Sequence, residues 1–378
     1  MNKYSVIGSS YRNLLKPIFF KFDPEDVHDG MTSMGNFLSR SGLTRFLTAK
    51  TFAYTSPKLV QKVAGLTFNN PIGLSAGFDK NAKLINILSD VGFGFAEIGS
   101  ITLEAYEGNK KPRLFRLKKS KGLVVYYGLM NEGVRNLLPR FKKFNGKNIM
   151  GISVAKTNSL RTSSEVEGIN DYYECLKILE QEKVVNYYTI NISCPNTFGG
   201  EPFTTQEKLE KLLSKLSQLK ITKPVFVKMP INLPSEEYDS LLKVCVKYKI
   251  TGVIIGNLTK VRDPLLIKDQ IPEHIMGGIS GKPTKELSNE LIGYTYKKYG
   301  KSLVIIGVGG VFSAADAYEK IKLGASLIQL ITGMIFMGPQ LIGEINSGLV
   351  ELLEKDGYTN IEEAIGANNL LDIYPKNG

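Results

Sequence analysis

The segment Asn191-Ile192-Ser193-Cys194-Pro195-Asn196-Thr197 puts two amides, a thiol and a proline-fixed turn on the end of an apolar run, Tyr187-Tyr188-Thr189-Ile190. A strand that delivers a nucleophilic or basic atom and two hydrogen-bonding amides to one place suits small-molecule chemistry. The plainer reading is an asparagine-rich turn with a buried cysteine, since free Cys often packs as a small core residue. Two lysines end apolar runs in the same way, Lys80 in Ala76-Gly77-Phe78-Asp79-Lys80 and Lys228 in Val225-Phe226-Val227-Lys228. Lys228 could form a Schiff base or set positive charge beside an electron-rich cofactor ring. Gly307-Val308-Gly309-Gly310 and Thr332-Gly333 complete the set. Glycine lets backbone N–H groups approach a phosphate closely, and no Walker lysine or Rossmann spacing accompanies them, so a phosphorylated ligand or cofactor is expected.

These clusters need a frame, and the apolar pattern supplies one. Short apolar strands are predicted at 72–76, 95–102, 149–155, 187–193, 225–229, 252–257, 303–307 and 327–332. Amphipathic helical stretches separate most of them, among them 206–219, 235–248 and 314–323. Eight strands alternating with helices predict a (β/α)8 TIM barrel, an α/β fold. Each chemical cluster then falls at the C-terminal end of a strand, where such barrels place their sites. The stretch 103–148 is too long for one helix and holds strand-like pieces at 114–117 and 123–127, so it reads as an elaborated loop near the active face.

The chain of 378 residues can bury a large core, and 43% hydrophobic with 22% charged residues is ordinary for a globular protein. Cys175, Cys194 and Cys245 show no paired spacing, which argues against a disulfide framework or structural zinc and fits a reducing compartment. His28 and His274 are the only histidines, so histidine metal sites and Ser-His-Asp catalysis are poorly supplied, and no metal is expected. The net charge of +12 is dispersed among acidic residues rather than gathered in a basic arm. It suits an anionic ligand or a membrane surface better than nucleic acid. No signal peptide is evident, and no apolar run approaches the ~18–20 residues of a spanning helix.

Residues 1–60 differ from the rest. Tyr4, Ile7, Tyr11, Leu14, Leu15, Ile18, Phe19 and Phe22 recur at helical spacing, interrupted by Pro17, and Met31, Met34, Phe37, Leu38 and Leu43 repeat the pattern. These helices could cap the main domain or lie in a bilayer surface with lysines toward headgroups. The expected organisation is an N-terminal amphipathic extension (1–60), a barrel (61–356) and a polar tail (357–378).

In combination these residues resemble dihydroorotate dehydrogenases of the membrane-associated, quinone-reducing branch, almost without gaps from about residue 15 to about residue 350. The matching segments are Phe22-Asp23-Pro24-Glu25 with His28, Gly65-Leu66-Thr67-Phe68, Ala76 to Lys80, Gly108-Asn109, Lys111 to Leu117, Asn191 to Asn196, Gly277 to Gly281, and Ile306 to Gly310. The resemblance implies an FMN enzyme that takes a hydride from dihydroorotate and passes electrons to a quinone entering between N-terminal helices. It implies a peripheral place on the cytoplasmic face of a membrane. FMN contacts would fall on Ala76, Gly77, Lys80, Ser100, Asn191, Lys228, Gly281, Gly309, Gly310, Thr332 and Gly333, with Lys228 near the flavin N1 side. Substrate contacts would come from Lys80, Asn131, Asn191, Asn196 and Asn257. Cys194 would be the catalytic base, and His28 and Arg116 would belong to the quinone site.

This chain departs from the family pattern at several of these places. Cys194 stands where the quinone-reducing branch has serine, and a free thiol ionises more easily, with a pKa near ~8.5. Val125 stands where an asparagine binds the pyrimidine ring. Ser153 and Ala155, Gly256 and Leu258, and Ile331 replace further polar or glycine positions. A paralogous FMN dehydrogenase acting on another reduced ring or carboxylate is the alternative these departures leave open.

Overall fold

Apolar runs too short for a helix and flanked by glycine and asparagine fold here into strands, and the amphipathic segments between them cover the outside. The computed structural model describes residues 3–144, 148–198, 200–201 and 203–371. An antiparallel hairpin, β1 (Gln61–Val63) and β2 (Leu66–Phe68), precedes the barrel strands β3 (Ile72–Leu74) and β4 (Phe95–Ile101). The long following segment contributes β5 (Leu114–Leu117) and β6 (Gly122–Val125). The barrel resumes with β7 (Ile149–Val154), β8 (Tyr187–Asn191), β9 (Val225–Met229) and β10 (Gly252–Ile255). A short strand, β11 (Gly278–Gly281), precedes β12 (Val304–Val308) and β13 (Leu327–Leu330).

The eight expected strands close a parallel barrel in the order β10-β12-β13-β3-β4-β7-β8-β9. The strands β5, β6 and β11 form a separate antiparallel sheet, with β6 in the middle. The sequence pattern gave no sign of β11: four residues with two glycines carry no alternation to read.

The barrel interior is filled in layers. At its N-terminal end Phe68 of the hairpin meets Phe95 edge to face at 5.4 Å, and Tyr187 meets Phe226 at 5.5 Å. Gly73 and Gly151 make room for these rings, since a Cβ there would collide with Phe95 and Tyr187. Above lies a polar layer. Glu97 is fully buried and accepts hydrogen bonds from Thr189 Oγ1 (2.7 Å), Gln329 Nε2 (3.2 Å) and Tyr187 Oη (3.4 Å). The site sits above that layer, at the C-terminal mouth.

The N-terminal segment runs helically from Lys3 to Phe19 with a π turn at Tyr11–Leu15. Pro17 starts the last piece just past that turn, where the missing N–H is tolerated. Helices Pro24–Leu38 and Gly42–Phe52 follow, capped by Asp23 and Ser41. Tyr4 Oη donates to Ala53 O and Tyr11 Oη to Ile335 O, both at 2.8 Å, which pins the segment against the barrel. Leu14, Leu15, Ile18, Phe22, Met34, Phe37, Leu43, Phe46 and Leu47 remain exposed. No helix among the described residues is long and apolar enough to cross a membrane.

The expected tail needs correction. Residues 357–371 pack against the barrel: Ile361 and Ala364 are fully buried, and Asn369 Nδ2 donates to Leu323 O at 2.6 Å. Residues 372–378 lie outside the described residues.

Candidate active site

One cavity occupies the C-terminal mouth of the barrel and encloses about 1250 Å³ of empty space, its open entrance included. Ala76, Gly77, Lys80, Ser100, Asn191, Cys194, Asn196, Lys228, Asn257, Gly281, Gly309, Gly310, Thr332 and Gly333 all line it, as does His28. Residues from seven barrel-strand ends, the strand β11, the cysteine turn and the helix Pro24–Leu38 thus converge.

Two lysines carry the charge. Lys228 and Asn191 are neighbours in register on β9 and β8. The Lys228 ammonium is buried and donates to Ser75 Oγ at 3.2 Å. Burial lowers its pKa, while Glu97 and Cys194 oppose that shift. Lys80 is buried beside the cavity, and its ammonium makes no hydrogen bond or ion pair among the described residues. It lies 3.8 Å from the centroid of the Tyr127 ring. Burial pushes its pKa down to about 8 against the pull of Asp29, Glu25 and Asp79. Asp79 cannot face the ligand, because its carboxylate accepts from the Lys83 and Leu84 amides and fixes the turn that carries Lys80.

Cys194 is half-buried on the cavity wall. Burial pushes its thiol up to about 11, with Glu201 adding to the shift. The Asn196 amide, Lys228 and Lys156 act in the opposite direction. Burial thus takes the sulfur above the unperturbed thiol value: it rests as a thiol and must be deprotonated to act as a base. Lys156 also holds the segment after the turn, donating to Phe198 O at 2.9 Å.

Amides and hydroxyls knit the site floor. Asn191 Nδ2 donates to Ser100 Oγ at 2.8 Å, and Ser100 and Ser153 share a hydrogen bond of the same length. Asn257 Nδ2 donates to Ser193 Oγ (2.7 Å), which in turn donates to Lys228 O (2.8 Å). Asn196 Nδ2 donates to Val125 O at 2.9 Å, tying the cysteine turn to β6. At the far end Gly309 and Gly310 take positive φ of 111° and 70°, which glycine adopts without strain. A Cβ on Gly333 would strike the Val311 carbonyl, so Thr332-Gly333 and Val311 pack backbone to backbone.

One residue expected to touch the substrate lies elsewhere. Asn131 faces inward: its amide bonds the Thr102 hydroxyl (2.7 Å), Leu129 O (2.9 Å) and the Gly133 amide (2.8 Å), which makes it a loop brace rather than a cavity residue. Arg116, expected at the quinone site, lies against the N-terminal segment: Nη1 donates to Phe22 O at 2.8 Å and the guanidinium lies 4.6 Å from the Phe20 ring. His28 does reach it, with Nε2 donating to Phe78 O at 2.9 Å, and burial lowers its pKa. An apolar wall of Leu123, Val125, Phe312, Ile335, Phe336 and Phe20 runs from the cavity toward the N-terminal helices.

Sequence reasoning missed Ser75 and the fit of Tyr127 beneath Lys80. Tyr127 lines the cavity where its neighbour Tyr126 does not, and among the described residues its buried hydroxyl has no hydrogen-bond partner. Val125 and Leu258, flagged as departures, both line the cavity. At those positions the cavity offers apolar surface.

Comparison with known proteins agrees with this geometry. The sequence profile of the dihydroorotate dehydrogenase family matches residues 58–353. A protein of Christiangramia forsetii named dihydroorotate dehydrogenase (quinone) is 39% identical over 347 residues, covering 90% of this chain and 99% of that protein. One of the same name from Sulfurimonas denitrificans is 39% identical over 359 residues, covering 94% and 98%. A crystal structure of the Eimeria tenella enzyme in complex with ferulenol superposes with a TM-score of 0.78 at 28% identity, covering 92% of this chain and 96% of that one. A barrel of this closure, with this mouth and these relatives, belongs to the dihydroorotate dehydrogenase family.

Proposed function

We propose that this chain oxidises dihydroorotate to orotate, with FMN as cofactor and a quinone as electron acceptor, in pyrimidine biosynthesis. One observation carries the reading. A thiol, two buried ammonium groups poor in partners and a glycine-lined far end share a single cavity. Burial disfavours both charged ammonium groups, and a substrate carboxylate at Lys80 and an electron-rich flavin ring at Lys228 would favour them. The residues present therefore fit the flavin nucleotide.

FMN, when bound, would supply the hydride acceptor and pass electrons on to the quinone. The backbone at Gly309, Gly310, Thr332 and Gly333 would meet its phosphate. Lys228, Ser75, Ala76, Gly77, Ser100, Asn191 and Gly281 would surround its ring. Lys80 would meet the substrate carboxylate, and Asn191, Asn196 and Asn257 would orient the pyrimidine ring. Cys194 Sγ would take the proton from the carbon beside the ring carbonyl, with Lys156 and Lys228 favouring the thiolate. His28 and the apolar wall would border the quinone path. Exposed apolar residues of the helical extension, with the lysines among them, support peripheral attachment to the cytoplasmic membrane face.

The apolar surfaces of Val125 and Leu258 favour a second reading, a flavin dehydrogenase of the same build with a less polar ring as substrate. A steady-state assay with dihydroorotate and a soluble quinone separates the two. Coupled formation of orotate and quinol supports the first reading. A flavin-loaded protein that forms no orotate supports the second.

A further inference from the structure

A third lysine is buried deeper than either lysine of the site. Lys320, on the helix Ala314–Lys322, is 0% exposed, and its Nζ donates to Ser288 Oγ (3.0 Å) and Asn289 Oδ1 (2.7 Å), both neutral. Among the described residues it makes no ion pair. Ser288 Oγ in turn donates to Val308 O at 2.5 Å. Val308 is the residue before Gly309-Gly310, and a Cβ on Gly309 would lie 3.5 Å from the Ser288 Cβ. The ammonium therefore stands one side chain behind the glycine turn that closes the far end of the cavity.

The charges around it do not answer it. From the neighbouring helix Lys285–Tyr299 come Lys285 and Glu286, and from its own helix Asp316 and Glu319. The last two carboxylates are both held by Lys285 at 2.9 Å. On the helix Leu341–Asp356, Asp356 accepts from Tyr318 Oη at 2.8 Å and pairs with Lys322 at 3.4 Å. The segment Ala367–Leu371 brings no charge. Burial accordingly pushes the Lys320 pKa down to about 7. A buried cation without its own anion is costly unless a ligand supplies one.

We propose that Lys320 is a positioning residue for the phosphate of the bound flavin nucleotide: it fixes Ser288 under the Val308–Gly310 turn and supplies positive charge from behind it. This rests on the FMN reading above. A phosphate in front of the turn favours the charged form of Lys320, so the phosphate and a proton bind together. The coupling is reciprocal, and FMN affinity falls as pH rises above about 7, where the unliganded amine loses its proton.

The test compares FMN with riboflavin, which has the same ring and no phosphate. The full chain, freed of flavin by dialysis against concentrated bromide, is titrated with each ligand by flavin fluorescence quenching. For Lys320→Met the account expects FMN affinity to fall about tenfold or more, the scale of one charge at this depth, with riboflavin affinity within about twofold of the parent. An unchanged FMN affinity, or an equal loss for both ligands, overturns it. Should the variant not fold, calorimetry of the unaltered chain at about pH 8 in two buffers of different ionisation enthalpy decides. Proton uptake with FMN but not with riboflavin supports the proposal, and no difference between them overturns it. If the unaltered chain binds neither flavin, the FMN reading fails first and this one with it.

Discussion

Replacing Cys194 with alanine and following the reaction across pH tests the chemistry most sharply. The thiol is pushed up to about 11 by burial, so at about pH 8 only ~0.1% of it is ionised, and each further pH unit multiplies that fraction about tenfold. If the thiolate is the base, the first-order rate of flavin bleaching at saturating dihydroorotate should climb with unit slope from about pH 7 to about pH 10. The assay is anaerobic stopped-flow, where no later quinone step intrudes. Cys194→Ala should bind FMN normally, bleach at least ~100-fold more slowly, and lose the slope. A plateau below about pH 8.5, or a slope that survives in the alanine variant, would refute the assignment. Stability limits the window. The thiol titrates near its ordinary 9.0 in the unfolded chain and near 11 in the folded one. The contribution of the neutral thiol is thus intact below pH 9 and is lost progressively as pH rises from 9 to 11. Measurements above about pH 9 should therefore be brief.

Three other outcomes follow from the same geometry. Lys80→Met should raise the KM for dihydroorotate by about 100-fold, the scale of a buried charge-assisted hydrogen bond; in the parent enzyme KM should rise as pH passes about 8, where the ammonium loses its proton. Unaltered KM in the variant would remove Lys80 from the carboxylate site. Val125→Asn should lower that KM about tenfold by offering the ring an amide, and no gain would mean that the substrate ring does not reach β6. Phe37→Glu with Phe46→Glu, two exposed residues of the helical extension, should abolish flotation with anionic liposomes while leaving anaerobic bleaching intact; equal flotation would count against membrane attachment through this face.

Much of the barrel was legible because parallel strands buried on both faces read as near-continuous apolar runs, and their ends announced the glycine, amide and lysine clusters. Fourteen of the fifteen residues expected to touch cofactor, substrate or proton line one wall or another of the cavity together with His28, and their convergence follows from the topology alone. What stayed hidden depended on direction and depth. Asn131 lies in a loop without period, so nothing told whether its amide faced the ligand or the Thr102 hydroxyl. Arg116 meets the Phe20 ring and Phe22 carbonyl of the N-terminal segment, more than ninety residues distant in sequence, a contact no local pattern states. The strand β11 is made by its partner β6 rather than by its own composition. The acidity of Cys194 is a property of its burial, which a turn sequence does not state. Lys320 sits in a helix whose pattern places lysines on a wet face, and only packing against Ser288 removes it from water.

The central claim is that electrons leave dihydroorotate inside this cavity with Cys194 holding the departing proton. The direct measurement is the visible spectrum of the purified protein, without oxygen, before and after dihydroorotate and then a quinone. The account predicts flavin absorbance that bleaches with dihydroorotate, returns with the quinone, and hardly bleaches on the same timescale in Cys194→Ala. A colourless folded protein, or flavin absorbance indifferent to dihydroorotate, would contradict it.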